Sequence, residues 1–173
     1  FDYHKANLHR VSVDSNGLVT DEIEALCKNH KIKAVYVTSH HHHPSTVTLS
    51  AERRIHLLNL ARIYQFAIIE DDYDSEFRYT GTPLPALMSL GSGQTIYVGS
   101  FSKLISPALR LAYMVLPPAL VEPIRRALVQ TGPRASLIPQ PALAAFMESG
   151  AFATHLRRMR RVYANRQKAL REA

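Results

Sequence analysis

Short runs of apolar residues recur along this chain, and polar, helix-like stretches separate them. Each run is four to six residues long, and all four contain β-branched residues, which is typical of strands buried on both faces of a sheet. The runs predict four strands, at residues 34–38, 66–69, 95–98 and 111–116.

Helical patterns occupy the segments between and around these runs. Acidic residues after Thr20 predict a helix over 20–30, and Ser50 is a suitable N-cap for a helix over 51–64. A pair of prolines at 117 and 118 predicts the start of another helix near residue 119. The positions predicted to face the core from the helix over 51–64 are Ile55, Leu58 and Ala61.

The alternation of strands and helices predicts an α/β fold. Strands joined by helices of this length form βαβ units, so we expect a three-layer fold in which a mostly parallel sheet is flanked by helices. Ligands of such sheets bind outside the carboxyl ends of the strands. Polar clusters follow three of the predicted strands, and they lie at residues 38–43, 70–73 and 99–103. The sequence therefore predicts a ligand site at this edge.

Composition narrows the class of protein. The 173 residues are 46% hydrophobic, and no apolar run approaches the roughly 20 residues that a membrane span needs. The single cysteine, Cys27, excludes an internal disulfide and is interpreted as a buried small residue. We expect a cytoplasmic protein without membrane contact, because the first residues also lack the pattern of a secretory signal.

The net charge of +7 comes from the C-terminal part of the chain. Residues 121–173 carry ten Arg or Lys and three Glu, whereas residues 1–120 are balanced. Phe152, Leu156, Met159 and Tyr163 repeat there at helical spacing beside a cluster of arginines. This pattern favours a solvated helix face or a surface that meets another domain, and direct nucleic-acid binding is the alternative. No zinc-finger, RRM or KH signature accompanies the charge.

Several motifs of common ligand sites are absent from the sequence. The glycines form neither a dinucleotide fingerprint nor a P-loop, and there is no G-x-S-x-G elbow. The acidic run at 72–76 begins like a calcium loop, but Phe77 stands where the loop needs glycine and Pro83 where it needs glutamate. We therefore predict no calcium site.

The remaining polar residues at the strand ends suit pyridoxal phosphate. A lysine at a strand end beside Ser100 and Ser102 can form an imine with an aldehyde, and an aspartate can keep a pyridine nitrogen protonated. A tyrosine can hydrogen-bond the phenolic oxygen of the ring. An arginine, together with the hydroxyls of Ser100 and Ser102, can hold a phosphate through charge-assisted bonds.

Two sequence motifs resemble those of the fold-type-I pyridoxal-phosphate enzymes of aminotransferase class I/II. The motifs are IEDDYDSEFRY at 69–79 with GTPLPAL at 81–87, and VGSFSK at 98–103 with PALRLAY at 107–113. More narrowly, they resemble the aminotransferase-like domain of the MocR branch of GntR-type transcription regulators, which HLRRMR at 155–160 also fits. The resemblance implies Lys103 as the Schiff-base lysine, Asp71 as the partner of the pyridine nitrogen, Tyr73 at the phenolic oxygen and Arg110 at the phosphate, with Ser100 and Ser102 beside it.

The sequence departs from the family at three positions. Thr46 stands where the family has the glycine of a Pro-Thr-Gly turn, a position that favours glycine's backbone freedom. His43 stands where many aminotransferases have an asparagine near the ring oxygen, and Ala112 replaces a common glycine. The four histidines at 40–43 are interpreted mainly as a loop or pocket lining. A cofactor contact by His43 and a metal site are the alternatives, and no metal is predicted because no further ligands are evident.

The resemblance also implies an organisation. Residues 1–150 are expected to be part of the large, cofactor-binding domain, and residues 151–173 a helix that leads to a small C-terminal domain outside this sequence. A helix-turn-helix domain upstream would bind DNA, and the cofactor-binding domain would form a homodimer. Two functions stay open. The first is an effector-sensing regulator domain that binds pyridoxal phosphate together with an amine or amino acid, and the sequence of residues 70–77 favours it. The second is a catalytic aminotransferase.

Overall fold

A four-stranded mixed sheet forms the centre of the molecule. The computed structural model describes residues 5–78, 84–91, 93–131 and 135–172, so motif residues 79 and 81–83 lie outside it. The sheet has the order β3-β4-β5-β6. Its strands are β3 (Ala34–Val37), β4 (Ala67–Asp72), β5 (Thr95–Ser100) and β6 (Ala112–Val115), and a small hairpin precedes it, β1 (Val13–Asp14) and β2 (Gly17–Leu18).

Five helices accompany the sheet in the described part of the chain. They are α1 (Thr20–Asn29), α2 (Ala51–Tyr64), α3 (Pro118–Thr131), α4 (Pro139–Glu148) and α5 (Ala151–Glu172). The predicted starts and ends of the first two agree with the structure to within a residue, and the Ser50 hydroxyl accepts a hydrogen bond from the Arg53 amide, as a capping residue does. None of these helices combines the length and the apolar character that crossing a bilayer would require.

The parallel part of the sheet confirms the predicted α/β fold. β3, β4 and β5 pair in parallel, with Val37 opposite Glu70 and Asp72 opposite Gly99. β6 is antiparallel to β5 and places Tyr113 opposite Gly99. A Cβ atom at Gly99 would lie 2.3 Å from the ring of Tyr113, so a larger residue there would displace this ring.

Two of the predicted strands are longer in the structure. β4 continues through Glu70, Asp71 and Asp72, and β5 continues through Gly99 and Ser100. The polar residues that were expected to follow the strands therefore complete them. Their backbone groups pair across the ladder whatever their side chains are, so polarity did not end the strand.

One prediction about the core was wrong. Ile55 was expected to face the core, but its side chain is 59% exposed, whereas Leu57, Leu60 and Ala61 are buried. Arg54 is also buried on this face of α2, and it donates to the carbonyl oxygens of residues 39, 49 and 85. A guanidinium group with five donors can be buried when acceptors surround it. The core-facing side of α2 therefore includes an arginine as well as apolar residues. Leu58 packs against the edge of the core.

The C-terminal helix α5 has the two faces that its sequence predicts. Phe152, Leu156, Met159 and Tyr163 are half-buried, and the arginines at 157, 158, 160 and 161 are exposed. Arg160 forms an ion pair with Glu76, and its Nε donates to the Glu76 carbonyl oxygen at 2.7 Å. The helix begins at Ala151, as predicted, but its connection to a small domain stays a prediction.

Candidate cofactor site

The ends of β3, β4 and β5 bring the predicted site residues to one edge of the sheet. Asp71 pairs with Val98 in β5, so it lies two residues before the level of Ser100. Burial alternates along β4, with Glu70 and Asp72 buried and Asp71 half-buried between them. The two neighbouring aspartates therefore face opposite sides of the sheet, as alternation along a strand requires.

Asp71 is held by a tyrosine that the sequence analysis did not single out. The hydroxyl of Tyr36 in β3 donates a hydrogen bond to Asp71 Oδ2 at 2.5 Å. Burial, followed by this hydrogen bond and the charge of Asp71, raises the pKa of Tyr36 to about 12. Within the described residues, the other carboxylate oxygen of Asp71 accepts no hydrogen bond from a side chain or a backbone amide outside the sheet.

Asp72 has a structural environment instead. Its carboxylate accepts hydrogen bonds from the Tyr97 hydroxyl at 2.7 Å, the Ser75 hydroxyl at 2.5 Å and the Ser75 amide at 3.0 Å. Burial and the bond to Asp72 raise the pKa of Tyr97, so this phenol remains a donor. Asp72 thereby ties the end of β4 to β5 and to the 3₁₀ turn at Ser75–Phe77.

Three of the predicted site residues line one cavity of about 910 Å³. They are Lys103, Tyr73 and His43, and Arg166 of α5 lines it as well. Lys103 is exposed, and its ammonium group makes no ion pair or hydrogen bond to any described side chain. An uncommitted amine in a cavity of this size is available to react with a ligand.

Tyr73 is already engaged in this cavity. Its hydroxyl donates to the carbonyl oxygen of His41 at 2.8 Å. Burial and the charges of the nearby aspartates, Asp74 first, raise the pKa of Tyr73, which keeps its hydroxyl protonated. The predicted contact with a ring oxygen would require this hydroxyl to exchange its present acceptor.

The four histidines have four different environments. His40 is buried and its pKa is lowered by that burial, although Asp72 lies 3.8 Å away. His41 contacts Asp74 at 3.0 Å and His42 contacts Ser45 at 2.7 Å, whereas His43 lines the large cavity. No group of metal-ligating side chains suited to an ion is present among the described residues. His41 and His43 both line the large cavity, and the roles of the four histidines stay predictions.

The loop after the histidines keeps a left-handed residue without glycine. Thr46, where the family has glycine, has φ +61°, and its amide donates to the His42 carbonyl oxygen at 2.6 Å. A β-branched residue rarely adopts this conformation. Thr46 in this conformation adds local strain to the turn.

The remaining predicted ligands lie apart from the large cavity. Ser100 lines a second cavity of about 280 Å³ with Asp72, Tyr97 and Tyr113. Its hydroxyl accepts the amide of Ser102 at 3.1 Å, and neither Ser102 nor Arg110 lines either of these two cavities. Arg110 is exposed and has φ +51°, at the end of the 3₁₀ turn Pro107–Leu109.

A buried carboxylate braces the site from below. Glu70 is fully buried and accepts hydrogen bonds from the Ser39 hydroxyl and from the amides of Leu87 and Met88. Ser39 in turn precedes the four histidines, and its carbonyl oxygen accepts from Arg54. Sequence analysis missed this bracing, although a glutamate within an apolar strand was a signal for it.

The residues present fit pyridoxal phosphate at the ring end of the site. Asp71 offers one carboxylate oxygen that no described donor occupies, and Lys103 offers a free amine in a neighbouring cavity. The Oγ1 atom of Thr38 is buried without a partner among the described residues. Thr38 follows Val37, which pairs with Glu70, so continuing the register brings it level with Asp71.

The described strands and helices form an α/β fold, and Lys103 lines a cavity of this fold. The sequence profile described as "Aminotransferase class I and II" matches residues 1–173. The chain therefore belongs to the aminotransferase class I and II family, as its motifs predicted.

Comparisons with known proteins point to the regulator branch as well as to enzymes. The chain is 44% identical over 137 residues to "Probable rhizopine catabolism regulatory protein MocR" of Rhizobium meliloti, covering 79% of this chain and 28% of the relative. It is 37% identical to "Uncharacterized HTH-type transcriptional regulator YhdI" of Bacillus subtilis, covering all of this chain and 36% of the relative. The chain thus spans about a third of the length of these relatives.

A solved structure supports the fold. The kynurenine aminotransferase of Pyrococcus horikoshii, crystallised in complex with PMP, has a TM-score of 0.87 and 29% sequence identity. The superposition covers 95% of this chain and 42% of the enzyme. The predicted fold-type-I architecture is therefore confirmed.

Proposed function

We propose that this chain is part of the aminotransferase-like, effector-sensing domain of a MocR-branch transcription regulator and that it binds pyridoxal 5'-phosphate. The similarity to MocR and to other regulators supports the branch. The observation that carries the cofactor is the common cavity of Lys103, Tyr73 and His43, with Asp71 on the adjoining strand end.

Each of these side chains has a distinct task. When bound, pyridoxal phosphate supplies an aldehyde and an electron-accepting ring. Lys103 would provide the amine that holds the aldehyde, and Asp71 would accept a hydrogen bond from the ring nitrogen. Tyr73 and His43 line the same cavity as Lys103 and would border the ring.

The phosphate end of the cofactor rests on sequence resemblance. We propose Arg110, Ser100 and Ser102 as its ligands, with Arg110 providing the charge. These residues do not line the large cavity, and we propose that other parts of the protein complete the phosphate end. We propose a homodimer and a small C-terminal domain after α5 on the same resemblance, and DNA contact only through a separate helix-turn-helix domain.

A catalytic aminotransferase is the second candidate. The TM-score of 0.87 with a kynurenine aminotransferase favours it, because 95% of this chain superposes on part of that enzyme. Both candidates need Lys103 and Asp71, so the geometry of the cofactor site does not separate them. They differ in what the bound amine does, which is a property of the whole protein.

Titration of the full-length protein with pyridoxal phosphate tests the cofactor assignment. Wild-type protein should develop the absorbance of a lysine-bound cofactor, and Lys103→Ala should lose it. Lys33→Ala is the matched control, because Lys33 precedes β3 and lines neither of the two described cavities. Equal absorbance in wild type and Lys103→Ala would overturn the proposal.

A second measurement separates regulator from enzyme. A regulator should change its affinity for its operator DNA when an amine or amino acid is added, and it should convert little of that amine. An aminotransferase should transfer amino groups to a keto acid over many turnovers. Sustained turnover without any effect on DNA binding would favour the enzyme.

A further inference from the structure

Tyr36 is placed where core packing does not require it. Its side chain is 54% exposed, on the face of the sheet opposite Val37, which is buried in the core. Tyr36 pairs with Ile69, and its side chain reaches diagonally to Asp71 on the neighbouring strand. The ordered contact of its hydroxyl is the hydrogen bond of 2.5 Å to Asp71 Oδ2.

We infer that Tyr36 is a positioning residue that orients the carboxylate of Asp71 toward the ring nitrogen of the cofactor, an inference that rests on the proposed function. The phenol binds one carboxylate oxygen and restricts rotation of the group. The other oxygen, Oδ1, is then the acceptor that remains for a ligand. A hydrogen bond from a phenol to a carboxylate is charge-assisted, which strengthens this contact.

Two features of the structure support this division of the carboxylate. The pKa of Tyr36 is raised to about 12, so the phenol is a proton donor throughout the neutral range and does not compete with Asp71 for negative charge. Thr38, whose buried Oγ1 has no partner among the described residues, directly follows β3, and continuing the register of β3 and β4 brings it level with Asp71. Tyr36 thus binds Oδ2 of Asp71. Asp71 Oδ1 and Thr38 Oγ1 have no partner among the described residues.

A purely structural role for Tyr36 makes a different prediction. If the residue only covered the sheet, its ring would do so without the hydroxyl, and Tyr36→Phe would be neutral. If it acts through Asp71, removing the hydroxyl should matter only while Asp71 carries its carboxylate. The distinction can be measured with a double-mutant cycle.

The experiment measures pyridoxal phosphate affinity in the full-length protein for wild type, Tyr36→Phe, Asp71→Asn and the double variant. Tyr36→Phe should weaken binding roughly three- to tenfold, the range expected for one partly exposed hydrogen bond to a charged group. The same substitution in the Asp71→Asn background should change affinity less than twofold. The absorbance spectrum of the bound cofactor should also change in Tyr36→Phe, because the environment of the ring nitrogen changes.

Tyr64→Phe is the control, because Tyr64 packs at the edge of the core from α2. If Tyr36→Phe and Tyr64→Phe both retain wild-type affinity and spectrum, or if Tyr36→Phe has the same effect with and without Asp71, the inference is overturned while the proposed function stands. If wild-type protein binds no cofactor, the proposed function fails and this inference fails with it.

Discussion

Replacing Glu70 should lower the free energy of unfolding more than replacing an exposed carboxylate does. Its side chain is fully buried within β4 and accepts three hydrogen bonds, from the Ser39 hydroxyl at 2.5 Å and from the amides of Leu87 and Met88 at 2.9 and 3.1 Å. Ser39 and Leu87 are themselves fully buried. Glu70→Ala would therefore leave their donors without an acceptor or water.

The magnitude follows from these contacts. A buried donor that loses its partner costs about 1 to 3 kcal/mol, and Glu70→Ala strands two such donors and leaves a cavity. Since such costs are not additive, we expect a loss of about 3 to 5 kcal/mol. Glu70→Gln keeps one oxygen, which can still serve Ser39 and Leu87, and turns an amide toward the Met88 N–H, so about 1 to 2 kcal/mol is expected.

Urea unfolding of the full-length protein, followed by circular dichroism, measures these losses. Glu148→Ala is the matched control, because Glu148 is an exposed carboxylate at the end of α4, and its change should stay within about 0.5 kcal/mol. If Glu70→Ala were as mild as this control, the carboxylate would not brace the loop before the histidines, and the reasoning would be refuted.

Three further predictions concern the turn at Thr46, the phosphate ligand and the two neighbouring aspartates. Thr46→Gly should raise the free energy of unfolding by about 1 kcal/mol in urea titrations, because glycine relieves the strain of φ +61°; a loss would show that the threonine side chain is needed. Arg110→Ala should weaken pyridoxal phosphate about ten- to a hundredfold while leaving pyridoxal nearly unchanged, and an equal loss for both ligands would assign the phosphate elsewhere. Asp72→Ala should lower the unfolding midpoint, because it removes the acceptor of Tyr97 and Ser75. Asp71→Ala should instead lower cofactor affinity. The reverse pattern in parallel melts and titrations would contradict the assignment of the two carboxylates.

The elements of this fold could be predicted because their signals are local. Acidic residues after Thr20 and the Ser50 cap define helix starts within a few residues of sequence, and the structure places both helices as predicted. The runs that became β3, β4 and β5 are apolar and β-branched, which sufficed to predict a parallel sheet. The end of β4 was misplaced because a ladder hydrogen bond needs only backbone groups, and residues 70–72 supply these as well as apolar residues do.

The contacts that the sequence did not reveal join distant residues. Arg54 is buried because three carbonyl groups from separate segments surround it, and an isolated helix pattern favours Ile55 over arginine for the core. Tyr36 meets Asp71 only through the pairing of β3 with β4. The family resemblance directed attention to Asp71 and Lys103, but it carried no information about the side chain that orients the carboxylate.

The turn at Thr46 shows how a residue can depart from its local preference. Glycine is usual at this position, yet Thr46 adopts the left-handed conformation. The amide of Thr46 donates to the His42 carbonyl oxygen, and the amide of His42 donates to the Val47 carbonyl oxygen. Hydrogen bonds within the loop thus hold a conformation that a β-branched residue rarely adopts.

Borohydride treatment of the full-length protein with pyridoxal phosphate tests whether Lys103 binds the cofactor. The reductant fixes the cofactor to the lysine that binds it, and peptide mass mapping then locates the label. We expect the label on the peptide that contains Lys103, in a protein that retains its folded far-UV spectrum. A label on another lysine, or no label on folded protein, would contradict it.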